Sequence, residues 1–141
     1  MRYRPRGKEL LDRLHMEDWD HASDRDIDQP AAACFMMRTT VARRVGLFDE
    51  GCFLLYNDVD LCKRIRQRSI RIAFVSHLRV IHLGGASLNR FAGLGGERLR
   101  NVIRYVRKHY GPLSVWIFKL LLFVDALRLG QRDRIRTLVG A

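Results

Sequence analysis

The chain has 141 residues, enough for one domain with a core and hardly enough for two. Its hydrophobic share of 48% is ordinary for a folded protein, and a formal net charge of +11, from 26 basic and 15 acidic residues, fits an acidic partner such as nucleic acid, anionic lipid head groups or a phosphorylated ligand. Three widely spaced cysteines, Cys34, Cys52 and Cys62, exclude a disulfide framework and hold no Cys-x-x-Cys pair for structural zinc, so free thiols in a reducing cytoplasm are expected.

Residues 1–30 form a polar N-terminal segment with Pro5 and Pro30 as breakers. No apolar run follows its first residues, so a signal peptide is not expected. Lys8 to Met16 has the leucine spacing of a short helix, and the charged stretch from His21 to Gln29 reads as loop. The unbroken apolar run 31–38 predicts a buried strand. Thr39 and Thr40 then offer a cap to a short helix through Val45, which Gly46 closes with positive φ. Phe48 is expected in the core, and Phe48-Asp49-Glu50-Gly51 reads as a turn in which Asp49 bonds its own backbone.

Asn57 or Asp58 is placed to cap a helix over 59–67, with Leu61, Cys62 and Ile65 as its inward stripe and Lys63, Arg64, Arg66 and Arg68 pointing elsewhere. Residues 70–75 and 78–83 predict two strands, ended by Gly84-Gly85. A basic helix over 97–109 stops at Gly111-Pro112, where a second helix begins. That second segment, 113–129, is apolar but interrupted by Lys119 and Asp125, which makes it marginal for crossing a membrane. Trp116 with basic flanks fits a helix lying in the membrane interface; packing on a partner is the alternative. The organisation is thus an N-terminal segment 1–30, a core 31–96, and basic and amphipathic C-terminal helices 97–141.

Several words occur in a fixed order: Ala32-Ala33-Cys34-Phe35-Met36-Met37-Arg38, Val45-Gly46-Leu47-Phe48-Asp49-Glu50, Phe53-Leu54-Leu55-Tyr56-Asn57-Asp58-Val59-Asp60-Leu61-Cys62, and Val80-Ile81-His82-Leu83-Gly84-Gly85-Ala86-Ser87. In that order and spacing the chain resembles the acceptor-side, C-terminal part of family 2 glycosyltransferases, with the rhamnosyltransferase-like members as its nearest type. The resemblance implies an α/β fold that is part of the GT-A, Rossmann-like type, without the N-terminal nucleotide-binding half. It implies inverting transfer of a sugar from a nucleotide-sugar donor to a saccharide or lipid-linked acceptor; an upstream half or a partner chain carrying the donor site would be needed to complete it. A divalent metal, Mg or Mn, is implied only where that donor half is present.

The resemblance gives residues their roles. Asp58 takes the place of the base that deprotonates the acceptor hydroxyl. Such a carboxylate at a helix N-terminus is kept ionised by backbone N–H groups, although the residues alone favour a plain N-cap over a base. Asp49, Glu50, Asn57, Asp60 and Trp19 are candidate acceptor contacts; Asp60 also reads as an ordinary first-turn acid, and Trp19 as an anchor of the N-terminal segment. His82 matches a histidine near metal or diphosphate and is expected to share a cleft with Asp58. Gly84, Gly85 and Ser87 are the candidate phosphate contacts. Asp18-Trp19-Asp20, Asp24-Arg25-Asp26 and Asp26-Ile27-Asp28 carry the letters of a metal-binding Asp-x-Asp pair, but read as solvated acids.

Two rival readings remain. One is a basic nucleic-acid-binding module, which the charge allows but no motif supports. The other is a non-catalytic remnant or subunit of a split transferase. Similar transferases act on envelope polysaccharides, so the expected location is the cytoplasmic face of a membrane, held peripherally.

Overall fold

A computed structural model describes residue 16 and residues 19–30, 32–52, 55–83, 94–131, 135–136 and 138–139. Its elements are β1 (Arg25–Asp26), α1 (Thr39–Val45), α2 (Asn57–Arg66), β2 (Ala73–Phe74) and α3 (Leu94–Arg128). The predicted helix over 8–16 and the Gly84, Gly85 and Ser87 cluster lie outside the described residues.

β1 and β2 pair antiparallel, with Arg25 opposite Phe74 and Asp26 opposite Ala73. Side chains two apart on a strand share a side, and Asp24, Asp26 and Asp28 use that spacing to staple this ribbon. Asp24 accepts from the Ser76 N–H and hydroxyl, both at 2.8 Å. Asp26 pairs with Arg71, and Asp28 with Arg66. The solvated acids of the sequence are therefore exposed but engaged.

The first core lies under this ribbon. Leu61, Cys62 and Ile65 from α2 meet Val45 of α1, Ile27 and Ile72. The 3.6-residue spacing of the α2 stripe produces this contact as expected. Gly46 ends α1 at φ 77°, also as expected. The cap of α1 is Arg38, however, and both threonines lie inside the helix.

Three strand expectations are corrected. Residues 32–38 form a turn and an extended segment, not a strand, and Met36 is 96% exposed. Strand 70–75 contracts to the two residues of β2. Residues 78–83 form no helix or strand, are exposed and are unpaired in any described ladder. An apolar run becomes a strand only where a neighbouring strand satisfies its N–H and C=O groups, and the described chain supplies one short partner. Phe48 is likewise half-exposed at 49% instead of buried.

The helix predicted over 97–109 starts at Leu94 and runs on through the apolar segment. It is broken in direction at Gly111, which takes φ 84° and ψ 174°. Such a conformation belongs to glycine. Along a straight helix Ile103 and Val115 would stand about 18 Å apart at 1.5 Å per residue. Instead they share one cluster with Leu138, joined by Leu99, Val106, Phe118, Leu122 and Phe123. The turn at Gly111 thus folds α3 into two limbs, 94–110 and 112–128, that pack on each other. By length and composition, Gly96–Arg128 passes as long and apolar enough to cross a membrane.

Candidate functional site

The site begins with a backbone irregularity. Tyr56, the residue before α2, sits at φ 67° in the left-handed region, which costs a non-glycine residue about 1–2 kcal/mol. Its ring lies 6.0 Å from that of Tyr105 in α3, so aromatic packing helps hold it. The bend turns Asn57 and Asp58 into the first turn of α2. There the Asn57 Oδ1 accepts from the Asp58 N–H at 2.8 Å, and the Asp58 Oδ1 accepts from the Val59 N–H at 2.8 Å. The expected cap by Asn57 or Asp58 is corrected: the cap position belongs to Tyr56, which makes no side-chain cap bond, and the two side chains each accept only from the next residue's N–H.

Asp58 and Asp60, two residues apart, have opposite surroundings. Asp58 is half-buried and makes no ion pair among the described residues. It borders a shallow recess with Pro30, Ala32, Phe35, Phe48, Leu61 and Cys62, which encloses no room for a water molecule. The thiol of Cys62 is pushed up to about 11, first by burial and then by the Asp58 carboxylate, so it is inert as a nucleophile.

Asp60 is 0% exposed. Its Oδ1 accepts from Lys108 Nζ at 2.8 Å and lies 2.8 Å from His109 Nε2, and its Oδ2 accepts from Arg64 Nε at 2.8 Å. Burial pushes the carboxyl up, but the hydrogen bonds from Lys108, His109 and Arg64 outweigh it and hold it below the usual carboxylate range. Asp49 is bound in the same web. Lys108 reaches its Oδ2 at 2.8 Å, while Arg104 at 3.0 Å and the Gly51 N–H at 3.0 Å reach its Oδ1. The Lys108 bond, opposed by burial and joined by Arg104 and the Gly51 N–H, holds Asp49 far below its ordinary value. Lys108 therefore bridges two carboxylates.

Arg64 has a second task. Its guanidinium donates to the carbonyls of Val45 at 2.5 Å, Gly46 at 3.1 Å and Leu47 at 2.6 Å. Val45 carries one of the carbonyls that a helix C-terminus leaves unpaired, and Gly46 and Leu47 follow directly after it. The arginine expected to point away from the core instead ties α2 to the end of α1. Asn101 completes the seam by donating to the Leu55 carbonyl at 3.0 Å. Lys63 Nζ lies 3.1 Å from the Tyr110 hydroxyl.

Of the expected acceptor contacts, then, Asp49 and Asp60 are engaged by cations of α3, and Asn57 by backbone. Glu50 is exposed in the turn. Trp19 stacks on His21 at 4.5 Å and meets Phe74 edge-on at 4.8 Å, with the Arg25 guanidinium 5.4 Å from its ring centre. That environment matches the anchoring alternative for Trp19. Its buried Nε1 has no hydrogen-bond partner among the described residues. His82 is exposed, makes no ion pair among the described residues and takes no part in the Asp58 recess. The expected shared cleft of Asp58 and His82 is therefore not seen among the described residues. Nor do the described residues gather three metal-ligating side chains at one point.

Lys108, His109, Arg104 and Asn101 were not foreseen as partners of the motif. Their only sequence signal is a basic helix that follows an acidic turn. Comparison with known protein families, with curated proteins and with solved structures finds no match to this chain.

Proposed function

We propose that this chain is the acceptor-side part of an inverting sugar transferase of GT-A, family 2 type, with Asp58 as the base. The observation that carries the reading is the contrast within one helical turn. Asp60 is spent on Lys108, Arg64 and His109, whereas Asp58 stays half-buried, held by the Val59 N–H and without an ion pair among the described residues. A general base needs a positioned carboxylate within reach of the hydroxyl it deprotonates. The web around Asp60 and Asp49 supports the reading as scaffolding that sets the start of α2. In this role Asp49 and Asp60 position the turn, and acceptor contact falls to Asp58, Asn57 and Glu50.

The recess beside Asp58 is too shallow to hold a sugar, so on this reading the nucleotide-sugar site comes from a further segment or a partner chain. A divalent metal would be held there, with His82 as the residue that this chain offers toward it. Placement at the cytoplasmic face of a membrane belongs to the same proposal, supported by the apolar limb of α3 and the charge of +11.

The test is transfer from a panel of nucleotide sugars to saccharide and lipid-linked acceptors, with the chain alone and with candidate donor-site partners. The chain alone is expected to be inactive. Restored activity is expected to fall by about 10²–10⁴-fold in Asp58→Asn, because the amide keeps the shape but accepts no proton. Unchanged turnover in that variant would remove Asp58 from the base role. A subunit without catalysis predicts no activity with any partner.

A further inference from the structure

The second limb of α3 is apolar on two opposite sides. One side, with Val115, Phe118 and Leu122, packs against the first limb. The other carries Leu113, Trp116, Ile117, Leu120, Leu121 and Leu127, all more than half exposed, with Trp116 at 72%. At about 100° per residue these six fall within an arc of about 140°, and Lys119 and Asp125 fall outside it. The two charges that interrupt the linear sequence therefore do not interrupt the exposed stripe. A continuous apolar face of this kind marks a contact surface.

We propose that this stripe is a lipid-inserting face, seated in the plane of an anionic bilayer surface. The inference rests on the membrane placement proposed above and specifies its depth, orientation and lipid. Three observations select this occupant. The limb 112–128 is about 25 Å long, short of the ~30 Å hydrocarbon core. Its other side is already covered by the first limb, so the helix has one face to give and lies flat. Finally, α3 carries seven lysines and arginines against two acids, Glu97 and Asp125. Of these cations, Arg98 and Arg107 are exposed and make no ion pair among the described residues. Anionic head groups complement that charge. A second copy of the chain would bring two charges of +11 together instead.

The experiment is flotation of the full chain with vesicles of phosphatidylcholine alone and of phosphatidylcholine mixed with phosphatidylglycerol, at low and high salt. Binding is expected to the mixed vesicles, weakened by salt. Leu120→Asp/Leu121→Asp is expected to lower partitioning on the order of a hundredfold, with an unchanged circular dichroism spectrum because both side chains are exposed. Quenching of Trp116 by lipids brominated near the head group, absent in Trp116→Phe, places the helix at the interface. The proposal is overturned if the folded chain stays with the soluble fraction. It is equally overturned if the double variant binds like the parent, or if sedimentation shows a dimer that the double variant dissolves. Asp58→Asn is expected to float normally, so failure of the lipid face and failure of the transferase reading are told apart.

Discussion

Residues 94–110 of α3 meet the rest of the chain through charges and directed hydrogen bonds, whereas residues 112–128 meet it through apolar contact on one face. The first limb locks a particular register: Lys108 fits between Asp49 and Asp60 in one geometry, and Asn101 reaches one carbonyl. The second limb packs on the first through an apolar cluster. Directional bonds fix position and apolar contact supplies adhesion. The limb that touches the candidate site is the directional one, and the limb that carries the exposed stripe is the adhesive one.

The largest effect is expected where the directional limb is broken at its centre. Asp60→Ala leaves the Lys108, Arg64 and His109 side chains without their shared buried acceptor, a loss of about 3–5 kcal/mol for a broken buried pair. Urea denaturation is the measurement. Limited proteolysis sharpens it, since the first limb is expected to come away from α2 while the two limbs still protect each other. Equal protection of every segment would show that the two halves are not separable.

A somewhat smaller loss is expected in the adhesive contact. Ile103→Ala removes a buried side chain from the cluster between the limbs, at about 2–4 kcal/mol. Its signature is the reverse of the first: cleavage near Gly111 with the Asp60 web intact, read from the same two assays.

The smallest and most graded effect comes from acid. Asp49 and Asp60 both have folded values below the ordinary 3.8. A depressed carboxyl gives stability that is fully present above the unfolded value and is lost as pH falls through the folded one. Stability is thus expected to hold down to about pH 4 and to decline progressively below it. Asp49→Asn is expected to flatten part of that decline. A midpoint that is independent of pH below 4 would break the link between these carboxylates and the docking of the first limb.

Much of this architecture follows local rules and is legible in the residues. The stripe Leu61, Cys62, Ile65 announces its buried face by spacing alone. Gly46 and Gly111-Pro112 announce their turns because few residues tolerate those dihedrals. Run 31–38 misleads because apolar content gives no information on whether a neighbouring strand exists, and here Met36 faces solvent. The partners of Asp60 stay hidden for a related reason. Lys108 and His109 lie nearly fifty positions away, and a first-turn acid looks the same whether it meets water or a lysine, an arginine and a histidine. Arg64 was legible as a charge but not as the group that closes the end of α1. Asp58, which makes no ion pair among the described residues, differs from its neighbour through those long-range contacts.

The bend at Gly111 has a consequence for handedness. A Cβ built there meets no atom within 4 Å, so space does not demand a glycine. What demands it is the sign of φ: at 84° and 174° the backbone occupies the mirror image of the extended region that ordinary residues favour. Glycine is the one genetically encoded residue without a chiral α-carbon, and here it stands in for a D-amino acid. The fold-back of the two limbs, and with it which side of the apolar helix remains outward, therefore hangs on the absence of chirality at a single α-carbon.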